Sequence, residues 1–160
     1  MGELVHVGAH RASLREGSER GLVREYLVIV LGDDLYGVEL TEIREILGPP
    51  PLTRVPRAPR NVLGVCSVRG QLVTVVDLRA RLRVAPPSQA RRPRILLTDR
   101  DKETLGFLVD EVQHVVRLVE PEVEPAETAL GGEVSEGISG IGRPQGQMII
   151  LLALSNISVG

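Results

Sequence analysis

A chain of 160 residues with 42% hydrophobic content can build one packed domain or two small linked subdomains. With 2% aromatic residues and no Trp, the core falls to Val, Leu and Ile, and the stacking platforms of single-stranded nucleic-acid binders are excluded. A net charge of −2 gives no global basic field for phosphate backbones, and the single cysteine excludes an internal disulfide.

No apolar run reaches the ~20 residues of a membrane span, and the N-terminus lacks an apolar signal core. Cys66, inside an apolar strand, reads as a small buried hydrophobe in a reducing compartment. These features predict a cytoplasmic protein without direct membrane insertion.

Residues 1–23 are polar, lack a clear period and read as a flexible leader. Regular structure is expected over residues 24–154. Residues 26–31 and 35–40 form apolar runs around Gly32-Asp33-Asp34, a hairpin signal. Thr41 is placed to cap a short helix carrying Ile43, Ile46 and Leu47 on one side, with Gly48 and Pro49-Pro50-Pro51 as its stop. The prolines at 56 and 59 make residues 52–59 an extended connector or edge.

Residues 61–79, NVLGVCSVRGQLVTVVDLR, are the centre of the pattern. Two β-branched runs flank Arg69-Gly70-Gln71, where Gly70 supplies the positive φ of a sharp turn. Almost no charge falls in either run, so both faces are expected to be buried. Asp77 is placed to cap a helical turn that reaches Arg81.

The proline-rich loop at 85–93 divides a first half, 24–84, from a second half, 94–154. In the second half, strands are expected at 95–97, 105–109, 112–119, 138–141 and 148–154, with a charged turn at 99–103 and a solvated extended loop at 120–129. Residues 155–160 read as a short C-terminal tail. About ten short strands with Gly and Pro turns, and no internal repeat, predict an all-β sandwich or small barrels.

Candidate chemistry is sparse. Gly64 and Gly70 fit a phosphate loop poorly: the interval is one residue too long, and Gln71 stands where lysine is needed. Asp110 and Glu111 point to opposite faces of a strand and cannot act as an acid–base pair. His6, His10 and His114 have no second cysteine to complete a metal set. The serines lack both elbow glycines and a histidine partner. Arg91, Arg92 and Arg94 read as a solvated basic loop. Arg69 stands out, because a rigid hairpin tip can present its planar fork to a carboxylate. The stripe Ile43, Ile46 and Leu47 reads as core or as part of a groove for a partner helix.

The segments LGDDLYGVEL, EIREILGPPPLTRVP, NVLGVCSVRGQLVTVVDLR and LGFLVDEVQHVVRL resemble, in order and spacing, CheW-like domains, the coupling proteins of bacterial chemotaxis. The resemblance runs from about Arg24 to Leu154. It implies two intertwined five-stranded SH3-like β-barrel subdomains around a shared core, with a few short helices, no catalysis, no cofactor and no metal. It also implies two partners: the cytoplasmic tip of a chemoreceptor (methyl-accepting chemotaxis protein) and the regulatory domain of a CheA-type histidine kinase, assembled in a membrane-associated array.

Matched by motif, Ile43 and Glu45 take short-helix positions facing the receptor, Gly64 opens the central strand, Arg69 is the Arg-Gly arginine of receptor contact, and Val115 lies beside the groove. No motif fixes the kinase contacts. The sequence departs from the family pattern at Thr74, where proline is common, at Ser67-Val68 for Asn-Leu, and after Leu154, where an acidic leucine-rich helix is usual. An adaptor for one partner alone, and a small-molecule-binding β-barrel, are the competing readings.

Overall fold

A computed structural model describes residues 22–131 and 136–159. The expected leader lies outside the described residues except for Leu22 and Val23; His6, His10 and Ser135 lie outside them as well.

Among the described residues, eleven strands form two sheets. The first runs β8 (Glu111–Val119), β1 (Val23–Leu31), β2 (Asp34–Glu39), β11 (Ile149–Leu152), β10 (Ile138–Gly142), β9 (Val123–Pro125). The second runs β3 (Glu45–Leu47), β6 (Arg94–Arg100), β7 (Glu103–Val109), β5 (Gln71–Asp77), β4 (Val62–Val68). Neither sheet respects the halves of the sequence. β1 and β2 pair with β8 and β11 from the far end of the chain, and β6 and β7 join β3 and β5 from the near end. The expected all-β, intertwined fold is present. One sheet carries six strands rather than five, because Val123–Pro125 pairs with β10.

Side-chain alternation explains why two sheets make one body. Along β1, Tyr26 and Val28 point into a cluster with Leu118, Ile149 and Leu151, inside the first curled sheet. Leu27, Ile29 and Leu31 point the other way, into a second cluster with Val76, Leu96, Phe107 and Leu152. The second sheet repeats the pattern. Val73, Val75, Ile95 and Leu97 fill its interior with Cys66, while Val76, Leu96, Leu105 and Phe107 face the shared cluster. Successive residues of a strand serve opposite faces, so a fully apolar strand can belong to two cores at once.

Three local expectations are corrected. The helix from Thr41 through Leu47 is absent: Leu40–Glu42 form a single 3-10 turn and Glu45–Leu47 are strand. Ile43 and Ile46 are β-branched, and the Arg44 N–H donates to the Leu97 carbonyl at 2.8 Å, so the open edge of β6 takes this segment as its partner. Residues 120–129 are not an open loop. They form a 3-10 turn (Glu120–Glu122), β9 and the short helix α2 (Ala126–Ala129), with Ala126 buried. The central hairpin is not buried on both faces. Its interior face is buried at Cys66, Val73 and Val75, but Leu72 on the opposite face is 69% exposed, because the hairpin outruns the shared core.

Two other segments are tied down. Asp77 caps α1 (Leu78–Leu82) by accepting from the Ala80 N–H at 3.2 Å. Past β11 the chain folds back: Ile157 is buried in the shared cluster, and Arg81 donates to the Ser158 carbonyl at 2.9 Å.

Because the shared cluster belongs to both sheets, they are expected to unfold together. Phe107→Ala removes its largest fully buried side chain and should cost about 3–5 kcal/mol. Denaturant titration should show one shifted transition; two separate transitions would mean the sheets have independent cores.

Candidate functional site

The turn between β4 and β5 has two residues, with Val68 opposite Gln71. Both central residues have positive φ, Arg69 at 50° and Gly70 at 79°, the backbone of a tight twisted hairpin. Gly70 adopts it freely, whereas Arg69 is held there by the strands on either side. The arginine side chain is 69% exposed, and both ends of its fork reach the carboxylate of Glu45.

Glu45 opens β3, which lies at the opposite edge of the second sheet from β4. The bidentate pair therefore spans the two edges and closes the sheet at its rim. Arg44 adds a second link, donating to Gln71 at 3.3 Å and to Asp99 at 2.9 Å. The hydrogen bonds from Arg69 hold the Glu45 carboxyl below the ordinary glutamate range, and Glu45 in turn raises the Arg69 guanidinium.

The other sequence-derived site residues are distributed differently. Ile43 is only 4% exposed and packs mainly in the shared core, reaching the surface only as part of a cleft wall. It fixes the start of β3 and hence the direction of Glu45. Gly64 lies where the connector crosses β4: Thr53 and Val65 exchange two backbone hydrogen bonds of 2.8 Å, and a Cβ on Gly64 would stand 2.5 Å from the Thr53 carbonyl oxygen. Gly64 thus permits the connector to lie against the strand. Val115, 38% exposed, is on β8 of the other sheet, opposite Leu27. The structure joins Glu45 and Arg69 directly, places Ile43 in the shared core and Gly64 beneath the connector, and puts Val115 on a strand of the other sheet.

Sequence reasoning missed Arg44, whose role depends on Asp99 and Gln71 from distant strands. Asp110, read from the sequence as a charge on a strand, lies between β7 and β8 and is not solvated: it accepts from the Gly32 N–H at 2.7 Å and from Arg79 at 2.8 Å, joining the first turn to α1. Arg91 is not a free loop charge, since it donates to Glu111 at 3.4 Å. Among the described residues, no group of three His, Cys, Asp or Glu side chains could hold a metal ion.

Beside the rim lies an open cleft of about 660 Å³, walled by Thr41–Arg44 and Thr98–Asp101 with Ser155 between them. Glu42 lines it and accepts from the Ser155 N–H at 2.8 Å. Burial pushes the Glu42 carboxyl upward; the bonds from Ser155 and the Leu154 backbone offset this only in part.

The family model of the CheW-like domain matches residues 25–159. The chain belongs to the CheW-like domain family. A chemotaxis protein CheW of Helicobacter pylori is 26% identical over 149 residues, covering 93% of this chain and 88% of that protein. A probable chemotaxis protein CheW of Rhizobium etli is 30% identical over 134 residues, covering 82% and 84%. In fold, this CheW-like domain matches the crystal structure of the scaffolding protein TtCheW from Thermoanaerobacter tengcongensis, with a TM-score of 0.72 at 24% identity over 82% of this chain and 89% of that one.

Two substitutions test the local reading. Gly64→Ala should lose roughly 1–3 kcal/mol in chemical denaturation, through the clash with Thr53; an unchanged midpoint would mean the connector is free to move away. For Glu42, a raised folded pKa means that wild type loses stability as pH climbs above the ordinary glutamate value. Glu42→Gln should therefore melt at a higher temperature than wild type at pH 7, with the difference vanishing below about pH 4. A difference that grows on acidification would contradict the burial argument.

Proposed function

We propose that this chain couples the cytoplasmic tip of a chemoreceptor to the regulatory domain of a CheA-type histidine kinase. As a member of the CheW-like family it is a non-enzymatic adaptor of chemotaxis signalling. The observation that carries the receptor half is the exposed fork of Arg69, fixed on a two-residue turn and aimed by Glu45.

A guanidinium has five N–H donors, and one carboxylate occupies only part of that set. Arg69 can keep Glu45 and still meet an acidic side chain on a receptor helix. An exposed pair adds little affinity, so apolar contact must add more, and Val115 is the exposed apolar residue we assign to it. Glu45 orients the arginine. Ile43 and Gly64 act from beneath, through the placement of β3 and β4. Modest individual contacts suit an array, where linked sites supply avidity. Among the described residues no helix is long and apolar enough to cross a membrane. We assign recruitment to receptor arrays to these protein contacts.

The small-molecule reading finds less support. Both curled sheets are filled by side chains such as Val28, Leu151, Val73 and Leu97, each fully buried. The adaptor for one partner alone separates from the coupler by experiment.

The test is capture of the full chain on two baits, a receptor cytoplasmic fragment and a kinase regulatory domain. Wild type should bind both. Arg69→Ala should stay folded, keep the kinase bait and lose at least half of its receptor capture. Capture by the kinase bait alone would leave a single-partner adaptor. Ile43→Asp is expected to lose both baits together with its folded circular dichroism spectrum, because it buries a carboxylate; a folded Ile43→Asp protein that lost only the receptor would restore Ile43 to the contact surface.

A further inference from the structure

Between Glu45 and Asp77 the sequence contains no acidic residue, but it contains four arginines. Arg69 has Glu45. The other three, Arg54, Arg57 and Arg60, fall within seven residues of the connector that leads to β4, and all three are exposed. None makes a hydrogen bond or ion pair among the described residues. Elsewhere the arginines at 24, 44, 79, 81, 91 and 143 each reach a carboxylate. Asp77, the acid that follows the connector in sequence, turns its carboxylate to the Ala80 N–H.

The connector is also built to hold its shape. Thr53 is bonded to both polar groups of Val65, the Ala58 N–H closes a turn on the Val55 carbonyl at 3.3 Å, and the Val62 N–H closes another on the Pro59 carbonyl at 2.9 Å. Pro56 and Pro59 restrict φ between the arginines, and Arg57 sits at φ 62° at the corner of the first turn. Val55, 41% exposed, stands between Arg54 and Pro56. Three cations and one apolar side chain are thus displayed on a backbone with little freedom left to lose on binding.

We infer that the connector at residues 54–60 is a second docking surface, separate from the Glu45–Arg69 rim, and that its partner is an acidic segment of another protein. Charge complementarity carries the choice: this stretch holds unneutralised positive charge on a chain of net charge −2. A nucleic acid is disfavoured by that overall charge and by the lack of exposed aromatic side chains for stacking. A bilayer is disfavoured because three basic residues with one valine beside them hold a protein at an anionic surface only weakly.

The probe is a fluorescein-labelled peptide of alternating Glu-rich and Leu-containing turns, titrated with the full chain by anisotropy in low salt. Wild type should bind it. Arg57→Glu with Arg60→Glu should bind roughly tenfold or more weakly while its melting temperature is unchanged. Raising salt to about 0.3 M should weaken wild-type binding strongly, since these charges are solvent-exposed. The comparison variant is Arg92→Glu with Lys102→Glu, an equal change of net charge at exposed residues elsewhere, and it should bind within about twofold of wild type. Equal loss in both variants would reduce the effect to net charge and overturn the proposal. So would an absence of peptide binding, or binding only to vesicles containing anionic lipid, which would assign the connector to a membrane surface.

Discussion

The constraint on which the molecule depends is that strand β1 has almost no solvent face. β1 is buried along nearly its whole length, with alternate residues committed to different clusters. A substitution there is felt in two places, and neither sheet can be completed without strands from the other end of the chain. The shared cluster, built from Leu27, Ile29, Val76, Leu96, Phe107 and Leu152, is what makes the rim around Arg69 rigid. The hairpin is rooted in that cluster at Val76 and extends past it to an exposed tip. A rooted strand with an open end is a good mount for a contact residue, because the binding side chain is positioned by packing it does not itself disturb.

Much of this is legible in the sequence, for physical reasons that can be named. The runs at residues 26–31 and 71–76 are uncharged and rich in β-branched residues, which fits strands, though only the first is buried on both faces, and the Arg69-Gly70 step fits a tight turn. What remained hidden depends on partners far away in the chain. Ile43, Ile46 and Leu47 have helical spacing and also suit a strand; the open edge of β6, contributed some fifty residues later, decides between them. Ile157 gives no periodic signal, and its burial depends on Leu154 and the shared cluster. Arg44 looks like a surface charge until Asp99, Thr104 and Gln71 are brought beside it. Leu72 looks like core because its neighbours are, but the cluster ends before reaching it.

The same division runs through the candidate site. Glu45 and Arg69 were identified by motif, and their direct pairing comes from topology, since they lie at opposite edges of one sheet. The pair is therefore both structural and exposed. It joins β3 to the hairpin tip, and it leaves guanidinium donors facing outward. The hydrogen bonds from Arg69 lower the Glu45 carboxyl, which favours the ionised form of the pair. Ile43, expected at the contact surface, has most of its side chain in the shared core.

The measurement that tests the receptor assignment most directly is a charge exchange across the pair. Glu45→Arg, Arg69→Glu and the double exchange would each be measured for thermal stability and for capture by a receptor cytoplasmic fragment. If Arg69 meets the receptor, the double exchange recovers the melting temperature lost by the single variants, because the ion pair is re-formed in reverse, but it does not recover capture. If the double exchange recovers both, the pair acts only by closing the sheet, and the receptor contact lies elsewhere.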